Sequence, residues 1–240
     1  MLISQKNTNK ANANYNANDN KIDMVAFDVA GTTVRDDGSV ISAFETALAI
    51  TEPQLWKSRS EEWIRYALDT MGRSKIQVFT ELLVDKERAR AANEEFERAY
   101  LAQLPAGGIC PIEGAEETIT KLREEGAVVV LTTGFNRETL DAILKYLCWE
   151  NLVDFTVTPS EVERGRPHPD MLIAAQRKFG FTNASHSVVV GDTNSDMFAG
   201  VAFGSSNVIG VLTGAHDRIS LYDAGATTVI NSVANLMTHI

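Results

Sequence analysis

Two hydrophobic periods alternate along this chain. Short apolar runs stop abruptly at polar residues, at 24–28, 128–132, 155–158, 188–191, 208–212 and 227–230. Runs this short, rich in Val and bounded by turn residues, read as strands. Between them, around 113–125, 137–147, 170–179 and 195–203, apolar residues recur every three to four positions, as on the buried face of a helix. Strands that alternate with helices form βαβ units, hence a parallel sheet covered on both faces. The first run, "MVAFD", is apolar up to its last residue, which predicts a central strand.

From 39 to 105 the pattern changes. "ISAFETALAITE", "PQLWKSRSEEWIRYALDTMG", "SKIQVFTELLV" and "DKERARAANEEFERAYLAQL" all carry helical periodicity, with boundaries near Pro53, Gly72 and Asp85. Pro105, Gly107, Gly108 and Pro111 mark the return to the strand pattern. The predicted fold is therefore α/β, with a Rossmann-like parallel-sheet core over 23–38 and 106–240 and an inserted all-helical cap over 39–105. Residues 1–22, rich in Asn, Lys and Ala, read as a disordered extension without the apolar segment of a signal peptide. Trp56 and Trp63 share one cap helix and read as core.

Composition narrows the function. The formal charge is −10 over 240 residues, which argues against a nucleic-acid partner, because phosphate backbones need clustered Lys and Arg. No apolar run is long enough to span a bilayer. Cys110 and Cys148 fit neither a metal spacing nor a disulfide framework and read as reduced thiols of a cytoplasmic protein. A monomer or homodimer is expected.

Ligands of an open parallel sheet bind at the carboxyl ends of its strands. The first strand end carries Asp28, followed by Gly31, Thr32 and Thr33; the second carries Thr132, Thr133 and Gly134. "VVVGDTNSDM" carries Asp192 and, one turn on, Asp196, and Arg166 sits in the preceding "ERGRPHPDM". One anionic nucleophile, hydroxyl and backbone donors, two further carboxylates and one cation suit phosphoryl transfer through an aspartyl phosphate. A Mg²⁺ held by oxygen ligands would remove the repulsion between carboxylates and phosphate. Arg166 and the threonine hydroxyls would hold the phosphoryl oxygens as charge builds.

At these residues the chain resembles the haloacid dehalogenase superfamily of hydrolases, whose four motifs match in order over roughly 24–200. The resemblance implies that Asp28 is nucleophile and Mg²⁺ ligand and that the Ala30 carbonyl is a second ligand. It further implies that Thr132 and Arg166 hold the phosphoryl group, that Asp192 is a metal ligand and that Asp196 supports the metal shell. Most members carry an acid two residues after the nucleophile, where this chain has Ala30. "DVAGTT" with "GRPHPDM" resembles the phosphonatase branch, in which a cap lysine forms a Schiff base and the imine accepts the leaving carbanion. The stretch "MGRSK" is similar to the Met-Gly-x-x-Lys stretch of that branch, which implies Met71 as a substrate contact and Lys75 as that lysine. Lys75, Phe79 and Leu82 share one helix face, and a first-turn position opposes a positive charge. The chain departs from that branch at Val78, Phe135 and Gly38. His168 is an alternative leaving-group acid. The expected substrate is a small phosphono or phosphorylated metabolite. Cleavage of P–C through Lys75 and hydrolysis of a phosphomonoester of the phosphoglycolate type stay open, with a non-catalytic phospholigand-binding protein as the remote alternative.

Overall fold

The structure, a computed structural model, describes residues 21–106 and 109–240. Residues 1–20, nearly all of the expected extension, lie outside the described residues. Among the described residues six strands form one sheet: β1 (Met24–Asp28), β2 (Val128–Thr132), β3 (Phe155–Val157), β4 (Ser187–Gly191), β5 (Asn207–Val211) and β6 (Thr228–Ile230). Every pairing is parallel and the order is β3-β2-β1-β4-β5-β6, so β1 is central.

Four helices lie between β1 and β2: α1 (Ser39–Thr51), α2 (Pro53–Asp69), α3 (Lys75–Leu83) and α4 (Lys86–Leu101). The others are α5 (Ala115–Glu124), α6 (Arg137–Tyr146), α7 (Asp170–Phe179), α8 (Asn194–Phe203) and α9 (Arg218–Asp223). The sequence pattern does not announce α9. It is too short to establish a period, and Leu221 is its one buried side chain.

Both sheet faces are covered, which is why β1 is apolar at every position before Asp28. Val25 and Phe27 join Ile119 of α5 and Ile143 of α6 in one apolar layer. Met24 and Ala26 join Met171 of α7 and Ala199 of α8 in the other. The four-helix block has an aromatic centre in which Phe44 stacks on Phe79 at 5.0 Å and Phe79 meets Phe96 edge-on at 6.1 Å. Trp63 is buried there, and half-buried Trp56 packs against it. Tyr100 of α4 contacts Phe135 of the β2–α6 loop at 4.5 Å, so this centre runs into the first layer of the core.

Two chain crossings join the helical block to the sheet, and they pair with each other. Val34 bridges Pro111, Arg35 N–H donates to the Cys110 carbonyl at 2.8 Å, and Ile112 N–H donates to the Thr33 carbonyl at 2.9 Å. Pro53 opens α2, and the Asp85 carboxylate caps α4 by accepting from Glu87 and Arg88 N–H at 2.9 and 3.0 Å. Among the described residues no helix is long and apolar enough to cross a membrane.

Candidate active site

The order of connection reverses between β1 and β4, and this opens a crevice at their carboxyl ends. Asp28 ends β1 directly opposite Thr132 of β2. Asp192 follows the last residue of β4, and Asp196 lies in the first turn of α8. Thr193 caps that helix, and the Asp196 carboxylate accepts from Thr193 N–H at 3.1 Å and from its hydroxyl at 2.5 Å. Carboxylate oxygens of Asp28, Asp192 and Asp196 lie within 4.8 Å of one another, and all three residues are buried.

One cation faces them. Arg166 is 3% exposed, and its Nη1 lies 2.7 Å from Asp28 Oδ1 and also pairs with Asp196 Oδ1. Its Nε and Nη2 are buried and have no hydrogen-bond partner among the described residues. Buried donors left unpaired are costly, and two such donors on one planar fork match two oxygens of a phosphoryl or phosphonate group. Asp192 Oδ1 accepts from the Thr32 hydroxyl at 3.0 Å, and Oδ2 accepts from Ala215 N–H at 2.7 Å. A Cβ at Gly214 would lie 1.9 Å from Asp192 Oδ2, so only glycine lets this backbone close over the carboxylate. Burial, and then the charge of Asp28, push the Asp192 carboxyl above the usual carboxylate range. Three buried carboxylates against one guanidinium form an all-oxygen, electron-rich donor set, which fits a hard divalent cation.

The helical block closes this crevice. Asp28, Ala30, Met71, Lys75, Gly134 and Arg166 are among the residues around a cleft of about 20 Å³, room for about one water. Lys75, the first residue of α3, is buried with Nζ 5.9 Å from the Phe96 ring centroid. Burial, and secondarily the charge of Arg166, lower its ammonium to about 8, against the pull of Glu97, Asp36 and Asp28. The site therefore sets a buried carboxylate, a guanidinium with two unpaired donors and an easily deprotonated amine around one space.

A haloacid dehalogenase-like hydrolase family model matches residues 22–204. The chain belongs to the haloacid dehalogenase-like hydrolases. A phosphonoacetaldehyde hydrolase of Bacillus cereus is 34% identical over 215 residues, covering 82% of this chain and 78% of the relative. A hydrolase from Pseudomonas syringae superposes with a TM-score of 0.79 at 25% identity, covering 90% of this chain and 96% of that one. A phosphonoacetaldehyde hydrolase-like protein from Oleispira antarctica shares the fold, with a TM-score of 0.74 at 21% identity over 90% of each chain.

In this haloacid dehalogenase-like hydrolase most of the residues singled out in the sequence converge. Thr133 and Gly134 join Asp28, Ala30, Met71, Lys75 and Arg166 around the cleft. Thr132 is 5% exposed beside Asp28. Two placements differ from expectation. Thr32, expected to touch substrate, is wholly buried and donates to Asp192, so it orients a carboxylate. His168, considered as a leaving-group acid, is exposed in a groove with Arg73, Glu81 and Arg164, outside the cleft. Gly31 lies beneath the cleft, where a Cβ would come 2.5 Å from Asp192 Oδ2. The sequence pattern did not single out Asn93 and Glu97 of α4, which line a second cavity beside Lys75. Their spacing of four places them on one face beside the buried stripe of Ala89, Ala92, Phe96 and Tyr100, a signal hidden among neighbouring acidic residues.

Proposed function

We propose that the protein is a Mg²⁺-dependent hydrolase that cleaves the P–C bond of a small carbonyl phosphonate. The observation that carries this reading is the amine of Lys75, buried at the mouth of the Asp28 cleft with its pKa lowered to about 8. An amine needed only to balance phosphate charge gains nothing from being easy to deprotonate, whereas an imine-forming amine requires it. Phosphonoacetaldehyde hydrolase activity, named for the Bacillus cereus relative, is the form this chemistry takes.

Asp28, Asp192, Asp196 and the Ala30 carbonyl would hold the metal, which when bound offsets the repulsion between the carboxylates and the anionic substrate. The free Nε and Nη2 of Arg166, with Thr132, Thr133 and the Gly134 backbone, receive the phosphono oxygens. Lys75 adds to the substrate carbonyl and loses water to form an iminium. Asp28 attacks phosphorus, the P–C bond breaks, and its electron pair moves into the iminium to give an enamine. Water then hydrolyses the aspartyl phosphate, releasing phosphate and freeing Asp28. Protonation and hydrolysis of the enamine release the carbonyl product and free Lys75. A carbanion that leaves into an iminium needs no proton donor beside the nucleophile, so the methyl of Ala30 suits this chemistry. The helical block acts as a cap that excludes water while the imine forms.

The test follows acetaldehyde and phosphate release from phosphonoacetaldehyde with Mg²⁺. Asp28→Asn and Lys75→Arg are each expected to lower turnover at least about a thousandfold, since each removes a covalent partner. Phosphate release from simple phosphomonoesters that needs Asp28 but survives Lys75→Arg, with no acetaldehyde from the phosphonate, would make this an ester phosphatase instead.

A further inference from the structure

Lys75 stands between two spaces. On one side is the cleft above Asp28; on the other is a cavity of about 140 Å³ between the cap and the β2–α6 loop. Lys75, Gly134 and Phe135 line both spaces, so with the phosphono group on Arg166 and the carbonyl carbon at Lys75, the remaining substituent of that carbon would have this second cavity beside it. In a two-carbon phosphono aldehyde that substituent is a hydrogen, and a cavity with room for several non-hydrogen atoms stays unfilled.

The cavity wall is mostly apolar, with a few polar side chains set into it. Gln77, Asn93, Glu97, Asn136 and Ser160 line it beside Lys75. Asn93 Oδ1 is buried and has no hydrogen-bond partner among the described residues. Glu97 is 6% exposed, and its carboxylate accepts from the Thr139 hydroxyl at 2.5 Å and from Asn136 N–H at 3.4 Å. A carboxylate offers about four acceptor positions, so two remain. An unpaired amide oxygen and a carboxylate with spare capacity both ask for a donor, and a hydroxyl supplies one while staying neutral.

We infer that this cavity is a substrate subsite, and that the chain acts on carbonyl phosphonates longer than two carbons that carry a hydroxyl on the carbon beyond the carbonyl. The inference rests on the reading of Lys75 as the carbonyl-binding amine. It goes beyond that reading by assigning Asn93 and Glu97 to the distal hydroxyl.

The experiment compares phosphonoacetaldehyde, 2-oxopropylphosphonate and 3-hydroxy-2-oxopropylphosphonate, each with Mg²⁺. It measures kcat/KM from phosphate release and, separately, borohydride trapping at Lys75 by intact and peptide mass. The hydroxylated ketone is expected to exceed the methyl ketone by roughly tenfold to a hundredfold in kcat/KM, the span of one to two hydrogen bonds to charged or unpaired partners. Asn93→Leu is expected to shrink that ratio to within about threefold, while Asn93→Asp, which keeps an acceptor, preserves it. Trapping of both ketones at Lys75 with equal kcat/KM overturns the subsite and leaves the Lys75 reading standing. Absence of trapping with all three compounds overturns the Lys75 reading and the subsite with it.

Discussion

At Lys75 the proposed chemistry and the stability of the fold pull in opposite directions. Its ordinary value is 10.5, and in the fold it is lowered to about 8, first by burial and then by Arg166. The folded state thus releases the proton before the unfolded state does. Stability contributed by this group is lowest below pH 8, where both states are charged, and rises as pH climbs from about 8 towards 10.5. The gap corresponds to about 3 kcal/mol of destabilisation at neutral pH. Lys75→Met is expected to raise unfolding stability at pH 7 by up to about that amount, and its advantage over the wild type to fade above pH 8. Imine formation should behave conversely, rising in rate with pH through a midpoint near 8 in the wild type. Chemical denaturation across pH and borohydride trapping across pH check the two halves. A Lys75→Met variant no more stable than wild type at pH 7 would show that the amine is not held under strain.

At the scale of elements, the site depends on how closely two loops approach. A Cβ added at Gly134, after β2, would lie 2.5 Å from the Arg73 carbonyl oxygen, in the turn that leads into α3 and Lys75. Gly134→Ala must therefore push the 71–75 turn away from the core. Displacements near 1 Å of positioned groups cost up to about a hundredfold in rate, while overpacking costs roughly 1–3 kcal/mol. We expect kcat/KM to fall at least tenfold with the protein still folded by circular dichroism; unchanged kinetics would mean that the contact does not position Lys75. This dependence also explains what the sequence disclosed. β1, β2 and β4 announce themselves because burial on both faces demands unbroken apolar runs, and Asp28, Asp192 and Arg166 stand out because polar residues end those runs or sit in marked turns. Lys75 is legible as a charge on an apolar helix stripe. Asn93 and Glu97 are not, because α4 carries acidic and basic side chains along most of its length, and only the packing of Phe96 and Tyr100 decides which polar residues turn inward. Thr32 misleads for the same kind of reason: its neighbour in space, Asp192, lies 160 positions away.

The whole molecule is closed. A cleft of about 20 Å³ above Asp28 holds about one water, far less than a phosphono group needs. On the proposed function, the helical block and the sheet would have to part to admit a phosphono substrate. Their seam combines apolar packing of Phe96 and Tyr100 on Phe135 with polar contacts such as the Ser195 hydroxyl donating to the Met71 carbonyl at 2.8 Å and Glu97 reaching Thr139 and Asn136 on α6 and the turn before it. The paired crossings at Val34 and Pro111 give the block two connections side by side, a natural axis for opening. Bound phosphate, held by Arg166 from the core with Lys75 above it, should favour the closed arrangement by adding partners on both sides of the seam. Hydrogen exchange provides the check. Amides of 71–76 are expected to exchange faster than those of β1 and β4 in the free protein, and to slow at least about tenfold when phosphate and Mg²⁺ are present. Ser195→Ala should speed the same amides without affecting the strands, because it loosens the seam and leaves the sheet intact. Equal protection of 71–76 with and without phosphate would mean that the cap does not move on binding, and the route of substrate into so small a space would have to lie through the cavity beside Asn93.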